Sequence, residues 1–280
     1  MIKLKVILVT IIIFCAAFLS ACSSPPDKFN ISFYNTDSGV SVIISESGDC
    51  KFIYCLAKDN SFYNFIDDKL SSLNTNDPIS LAVCDYSINT SFCVSSLMHS
   101  YPIGTIYLPT PIAFDEHDNY VTLKRLTASK GASCEVVSVS EIISNNFTVR
   151  LFNPVYPQDT SSSALSFVVT FSNYSFGFLV GLEKHQMASA TLINLALSNN
   201  DITMQSTVNL NFLAFIPNGT PNESVLSVLT ANSIYVSNYT ELFLESIYQK
   251  LPLSTVYTNK THEKLSLAVT ENNLLSITTD

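Results

Sequence analysis

The chain has no tryptophan, only 7 glycines and only 14 Lys and Arg among its 280 residues. Each shortage closes off a class of function. No Gly-rich segment of the phosphate-cradling kinds occurs, so nucleotide binding through such a loop is excluded. Neither G-x-S-x-G nor S-x-x-K is present, which removes the usual signatures of a serine hydrolase. The few basic residues face 23 Asp and Glu for a net charge of −9, and they form no cluster. Nucleic acid, which is held by neutralising its phosphates, is therefore not an expected partner. There is no internal repeat and no low-complexity stretch, against a solenoid or a disordered chain. What the chain does have is Val, Ile, Leu, Phe and Tyr in abundance, the composition of a sheet-rich globular protein.

One long apolar run exists. It extends from Val6 to Leu19 behind Lys3 and Lys5, interrupted only by Thr10. The run is shorter than the ~20 residues of a spanning helix and ends in small residues, the layout of an export signal. Leu19-Ser20-Ala21-Cys22 resembles the lipobox of bacterial lipoproteins, in which small residues admit the signal peptidase and the cysteine thiol takes lipid. That resemblance implies a signal peptide over 1–21, acylation of Cys22, a short tether over 22–28 and a domain over 29–280. The protein would sit on the extracytoplasmic face of a cell membrane, with the lipid surface as its partner. Loss of Lys3 and Lys5 would take the formal charge from −9 to −11.

Beyond Cys15 and Cys22 there remain Cys50, Cys55, Cys84, Cys93 and Cys134, an odd number that cannot all pair internally. No C-x-x-C occurs, so a zinc knuckle or a thioredoxin-type centre has no support. Buried thiols acting as small hydrophobes are the simplest reading. Bridges between Cys50 and Cys55 or between Cys84 and Cys93 stay open, since spacing alone does not assign them. His99, His117, His185 and His262 read as surface or locally bonded residues. Asp115, Glu116 and Asp118 flank His117 on an apparent strand-to-helix connection, either a solvated acidic loop or a mononuclear metal site.

Hydrophobic patterning divides the chain into two blocks, each running from strands to helices. Strands are expected over 29–35, 40–46 and 50–57, a helix over 61–73 and a buried strand over 79–84. A polar loop over 85–91 precedes a helix over 94–100, which Pro102 stops. After a strand over 105–108, a helix over 119–130 is closed by Gly131 as a C-cap. The second block has strands over 134–139, 147–152, 164–172 and 175–180, a helix over 183–198 and a strand over 210–216. Shorter units follow: helices over 222–230 and 240–249, and strands over 233–237, 254–258, 264–269 and 273–278. This order suggests two sheets with helices outside them.

The same order resembles the metallo-β-lactamase superfamily, and several segments are similar to its branch found in DNA-uptake competence proteins. Phe33-Tyr34-Asn35-Thr36-Asp37-Ser38-Gly39-Val40 resembles that branch's opening strand and turn, and Phe52-Ile53-Tyr54 the strand end after it. Ile79 to Cys84 resembles the buried strand that delivers the metal motif. Phe178-Leu179-Val180-Gly181 resembles the strand that carries the bridging aspartate. The resemblance implies an α/β fold, a four-layer αββα sandwich. Its ligand motifs are altered. The loop that bears His-x-His/Asp-x-Asp-His in the family reads Asp85-Tyr86-Ser87-Ile88-Asn89-Thr90. The bridging aspartate falls at Leu182 and a later histidine at Asn218. Amides and hydroxyls do not replace imidazole and carboxylate as zinc donors. The expectation is accordingly no cofactor, zinc included, and a non-catalytic binding or scaffold role, with a cleft at Asp85, Ser87, Asn89, Thr90, Leu182 and Asn218. The rival readings are a metal-dependent hydrolase with a rebuilt site, phosphodiesterase- or nuclease-like, and a solute-capturing lipoprotein of two hinged lobes.

Overall fold

The computed structural model describes residues 28–111, 114–144, 146–154, 164–198, 207–217, 219, 221–270 and 272–279. The expected leader, Cys22, the expected tether before Lys28 and Asn218 lie outside the described residues.

The chain opens with an antiparallel meander of β1 (Phe29–Thr36), β2 (Gly39–Glu46) and β3 (Asp49–Ala57). Helix α1 (Phe62–Leu70) follows, burying Phe62, Ile66 and Leu70 at helical spacing. Then β4 (Ile79–Val83), α2 (Ile88–Ser100), β5 (Ile103–Pro109), α3 (Phe114–Ser129) and β6 (Ser133–Val137) add three strands parallel to β3. Gly131, with φ of +72°, ends α3 as expected of a C-cap.

At Ser138 the chain crosses to a second sheet. There β7 (Val139–Ile143), β8 (Phe147–Phe152), β9 (Ser166–Phe171) and β10 (Tyr174–Gly181) form another antiparallel meander. After α4 (Glu183–Leu197), strands β11 (Val208–Pro217), β12 (Leu229–Val236) and β13 (Thr255–Thr258) extend it in parallel, with a 3₁₀ turn at Glu223–Ser227 and α5 (Glu241–Lys250) between them. Finally β14 (Lys264–Val269) and β15 (Leu275–Thr279) return to the first sheet beside β1. The sheets therefore read β15-β14-β1-β2-β3-β4-β5-β6 and β13-β12-β11-β10-β9-β8-β7.

Alternation along the strands sends one row of side chains between the sheets and the other outward. The inner rows meet in an aromatic core, where Phe29 stacks on Phe171 at 4.3 Å between ring centroids and Phe167 on Phe178 at 4.6 Å. Each fully buried ring contributes about 1.5–3 kcal/mol of hydrophobic stabilisation. On the outer face of the first sheet, Ile53, Leu81 and Ile106 pack under the first three helices with Phe62, Val94 and Leu97. The second sheet buries Leu179, Leu213 and Ile234 under α4 and α5 with Ile193, Phe243 and Ile247. Two sheets sharing one core replace the two hinged lobes of the solute-capture reading.

The structure departs from the sequence reading at several joints. Helix α2 begins at Ile88, within the expected loop, because Ser87 caps it by accepting the Thr90 N–H at 3.3 Å. The single strand expected over 134–139 is two, since the chain changes sheet inside it. The helix expected over 222–230 is one 3₁₀ turn that gives way to β12 at Leu229. Among the described residues no helix is long and apolar enough to cross a membrane.

Candidate functional site

The parallel strands of both sheets end on the same side of the sandwich. The Leu165 N–H donates to the Cys84 carbonyl at 3.2 Å, and the Tyr54 hydroxyl to the Leu165 carbonyl at 3.0 Å. These bonds join the end of β4 to the start of β9 and so bring the ends of β3, β4 and β10 together. Of the expected cleft positions, the described ones, Asp85, Ser87, Asn89, Thr90 and Leu182, lie on this rim.

Asp85 follows β4 and turns back on its own loop, its Oδ1 accepting the Ser87 N–H at 3.2 Å and the Ser87 hydroxyl at 2.9 Å. Burial pushes the Asp85 carboxyl above its usual range; hydrogen bonds from Thr90 and Ser87 oppose this and the charge of Glu116 adds to it. Thr90 is buried, and its Oγ1 accepts the Ala57 N–H at 3.0 Å. Asn89 donates to the Lys58 carbonyl at 2.5 Å. Asp85, Ser87, Asn89 and Thr90 thus all fasten the loop to itself or to the end of β3. Leu182 stands on the other sheet as the N-cap residue of α4 and makes no side-chain cap. Gly181 before it has φ of +98°, and a Cβ there would lie 2.8 Å from that of Ala164, so the backbone is closely backed at this point.

The histidine reading needs correction at one position. His185 is buried in the first turn of α4 against Gly181, at the rim and not at the surface. His99 and His117 are exposed, and His262 is half-buried with its Nδ1 2.7 Å from the Thr261 hydroxyl. The acidic segment around His117 belongs to helix α3 and is not a loop. Glu116 is buried and faces Asp85 electrostatically, whereas His117 and Asp118 point to solvent. The Asp115 side chain lies outside what is described. Among the described residues no three His, Cys, Asp or Glu side chains come together.

The cysteines settle into an arrangement that spacing did not show. Cys50, Cys55, Cys84 and Cys93 are buried thiols and Cys134 is half-buried. Cys50 and Cys55 lie on one extended strand, about 16 Å apart at ~3.3 Å per residue, too far to bond. Cys84 belongs to the core between the sheets and Cys93 to the helix side of the first sheet, so that pair is also separated. Cys55 and Cys93 are the neighbours, with 3.4 Å between their Sγ atoms.

A polar cleft of about 210 Å³ opens on the same rim, displaced toward β1 and β12. Asn35, Thr36 and Asp37 come from the end of β1, Lys58 from the end of β3, Ser237 and Asn238 from the end of β12, and Asn259 and Glu263 from the connection between β13 and β14; Val40, Leu56 and Ile216 supply its apolar wall. Asn35 donates to the Tyr235 hydroxyl at 3.0 Å, which donates onward to the His262 carbonyl at 3.3 Å. Burial pushes the Tyr235 phenol up to about 12, with the Asn35 hydrogen bond opposing and Glu263 adding, so it stays protonated at neutral pH. The Asn259 Oδ1 is buried without a hydrogen-bond partner, and Lys58 makes no ion pair among the described residues. Sequence patterning does not reveal this cleft, although Asn35-Thr36-Asp37 lies inside the segment that resembles the family's opening turn.

No protein-family model matches the sequence, and no curated protein matches it. Solved structures do. A mutant of CmlA β-hydroxylase aligns with a TM-score of 0.52 at 11% identity, over 88% of this chain and 55% of that one. CmlA itself, a diiron β-hydroxylase from Streptomyces venezuelae, gives 0.50 at 10% identity over the same shares. The metal-soaked flavodiiron core of Flv1 from Synechocystis gives 0.35 at 11% identity, over 79% of this chain and 76% of that one. The chain thus spans about half the length of CmlA. The expectation of no cofactor is corrected on this finding, since the fold is one in which a solved neighbour is a diiron protein. The described residues at the positions of the resembled family's motif, Asp85 with Ser87, Asn89, Thr90 and Leu182, do not by themselves make the donor set of a two-metal centre. The resemblance to competence proteins finds no counterpart among these neighbours. Two sheets packed face to face, helices on both outer faces and the likeness to CmlA give this chain the metallo-β-lactamase fold, a four-layer αββα sandwich.

Proposed function

We propose that the protein is a lipid-anchored, extracytoplasmic binding protein that uses the metallo-β-lactamase sandwich as a non-catalytic scaffold and holds a small polar ligand or a polar group of a partner at the rim. The observation that carries this reading is the use made of the family's ligand positions. Thr90 and Asn89 hold α2 to the end of β3, Asp85 caps its own loop, and Leu182 is a hydrocarbon. These side chains are spent on structure. The neighbouring cleft offers amides, hydroxyls, two carboxylates and one ammonium, the mixed donors and acceptors that fix the orientation of a polar guest.

The anchor rests on Leu19-Ser20-Ala21-Cys22. Acyl chains on Cys22 would contribute about 0.8 kcal/mol per buried CH₂, enough for stable attachment when more than one is present. The tether would join at Phe29, the opposite end of β1 from Thr36 and the cleft. That geometry supports a cleft facing away from the membrane. Growth with an alkyne fatty acid should label the protein, and Cys22→Ser should abolish the label; label retained in that variant contradicts the anchor.

A second reading is metal-dependent chemistry at the same rim, by analogy with CmlA. Buried Glu116 facing Asp85, and His185 buried nearby, are the observations in its favour. Protein loaded separately with zinc, manganese and iron, analysed for bound metal and assayed on bis(p-nitrophenyl) phosphate, separates the two. The binding reading expects hydrolysis no faster than the free ion gives; turnover that rises with bound metal favours the second.

A further inference from the structure

We propose that Cys55 and Cys93 form a disulfide when this chain folds in an oxidising medium, tying the end of β3 to α2 directly beneath the rim; that it does so in the cell rests on the export reading above. The two sulfurs are already 3.4 Å apart on the helix side of the first sheet. Rotation of the two side chains brings them toward the ~2.05 Å bond. Among the described cysteines no other pairing competes. Cys50 is at the far end of the same strand, Cys84 is on the opposite face of the sheet, and Cys134 is on β6, three strands from β3 at ~4.8 Å each.

Both thiols are fully buried in the folded protein. The shared hydrogen bond with Cys93, together with burial, holds the Cys55 thiol well above its usual range, so the folded pair reacts slowly. The bond therefore forms before α2 docks, while both thiols are ordinary. One thiolate attacks a sulfur of a small-molecule or protein disulfide and expels a thiolate. The second then displaces the remaining half from the mixed disulfide. The oxidant gains two electrons and leaves as two thiols, taking up the two protons that the cysteines release.

The link closes a loop between positions 38 residues apart and runs parallel to a bond the rim already uses. Cys55 precedes Ala57 by one strand repeat and Cys93 follows Thr90 by one helical turn, and Thr90 holds Ala57. The disulfide would clamp covalently the same strand end and helix that Thr90 clamps by hydrogen bonding.

The test uses the full chain from two sources. One is extracted from membranes of expressing cells with acid quenching. The other is made in a reducing cytosol, unfolded, and refolded in reduced glutathione and glutathione disulfide. Both are alkylated unfolded without reductant and peptide-mapped. Cys50, Cys84 and Cys134 should carry alkyl groups, while Cys55 and Cys93 should appear as one linked peptide pair, open to alkylation only after reduction. Cys55 and Cys93 alkylated after oxidative refolding, or joined to other cysteines, overturns the proposal. The linked pair in the refolded chain but not in the membrane chain upholds the pairing and counts against export instead.

Discussion

At the scale of residues, two side chains on one loop carry opposite expectations. Thr90 accepts the Ala57 N–H and is buried. Thr90→Val keeps the shape but strands that buried donor, so urea denaturation should show a loss of about 1–3 kcal/mol. Asp85 carries a carboxyl whose folded-state proton affinity is raised, chiefly by burial. A carboxyl raised in this way penalises the folded state at pH values above its folded pKa, and the penalty disappears as acidification protonates it in both states. Asp85→Asn, which keeps an acceptor for Ser87, should therefore raise the thermal midpoint at neutral pH. The gain should shrink as pH falls toward the ordinary carboxylate range. A gain that grows on acidification would reverse the sign argued here. Gly181→Ala meets both a left-handed backbone and the Ala164 methyl at 2.8 Å. It should cost roughly 2 kcal/mol or more, read as a lowered urea midpoint.

At the scale of elements, the first described strand is an interior one. β1 is paired on both sides, and Phe29, its first residue, is fully buried against Phe171. Phe29→Ala should cost about 3–5 kcal/mol in equilibrium unfolding, as a core aromatic does, and not the near-zero cost of a flexible leader. Alternation made the start of β1 legible in the sequence, and β2 and β3, buried along nearly their whole length, were legible as apolar runs. The start of α2 was not legible, since Ser87-Ile88-Asn89-Thr90 reads as polar loop and only the capping bond reveals a helix. The Cys55–Cys93 contact was hidden for a related reason. It joins a strand to a helix, and neither spacing nor pattern reports which faces of two elements will meet. His185 was misread because a lone histidine in an amphipathic pattern does not announce which turn faces the sheet.

At the scale of the molecule, two halves of like order close on one aromatic core and leave their parallel strand ends on a common rim. The order of elements, and with it the sandwich, was readable from periodicity and the family resemblance. The cleft was not. Its walls come from segments as distant as Asn35 and Glu263, and Asn35 reaches Tyr235 across 200 residues. The cleft's two carboxylates, Asp37 and Glu263, against one ammonium, Lys58, suit it poorly to polyanions, in keeping with the small polar guest proposed above. The central claim is that residues standing where the resembled family keeps its ligands now serve structure instead of chemistry. It is tested most directly by phosphodiester hydrolysis measured side by side for the metal-loaded wild type and its Asp85→Ala variant. The account predicts equal rates at the level of free metal ion for both. A wild-type rate well above that level, lost in Asp85→Ala while the variant stays folded, would contradict it.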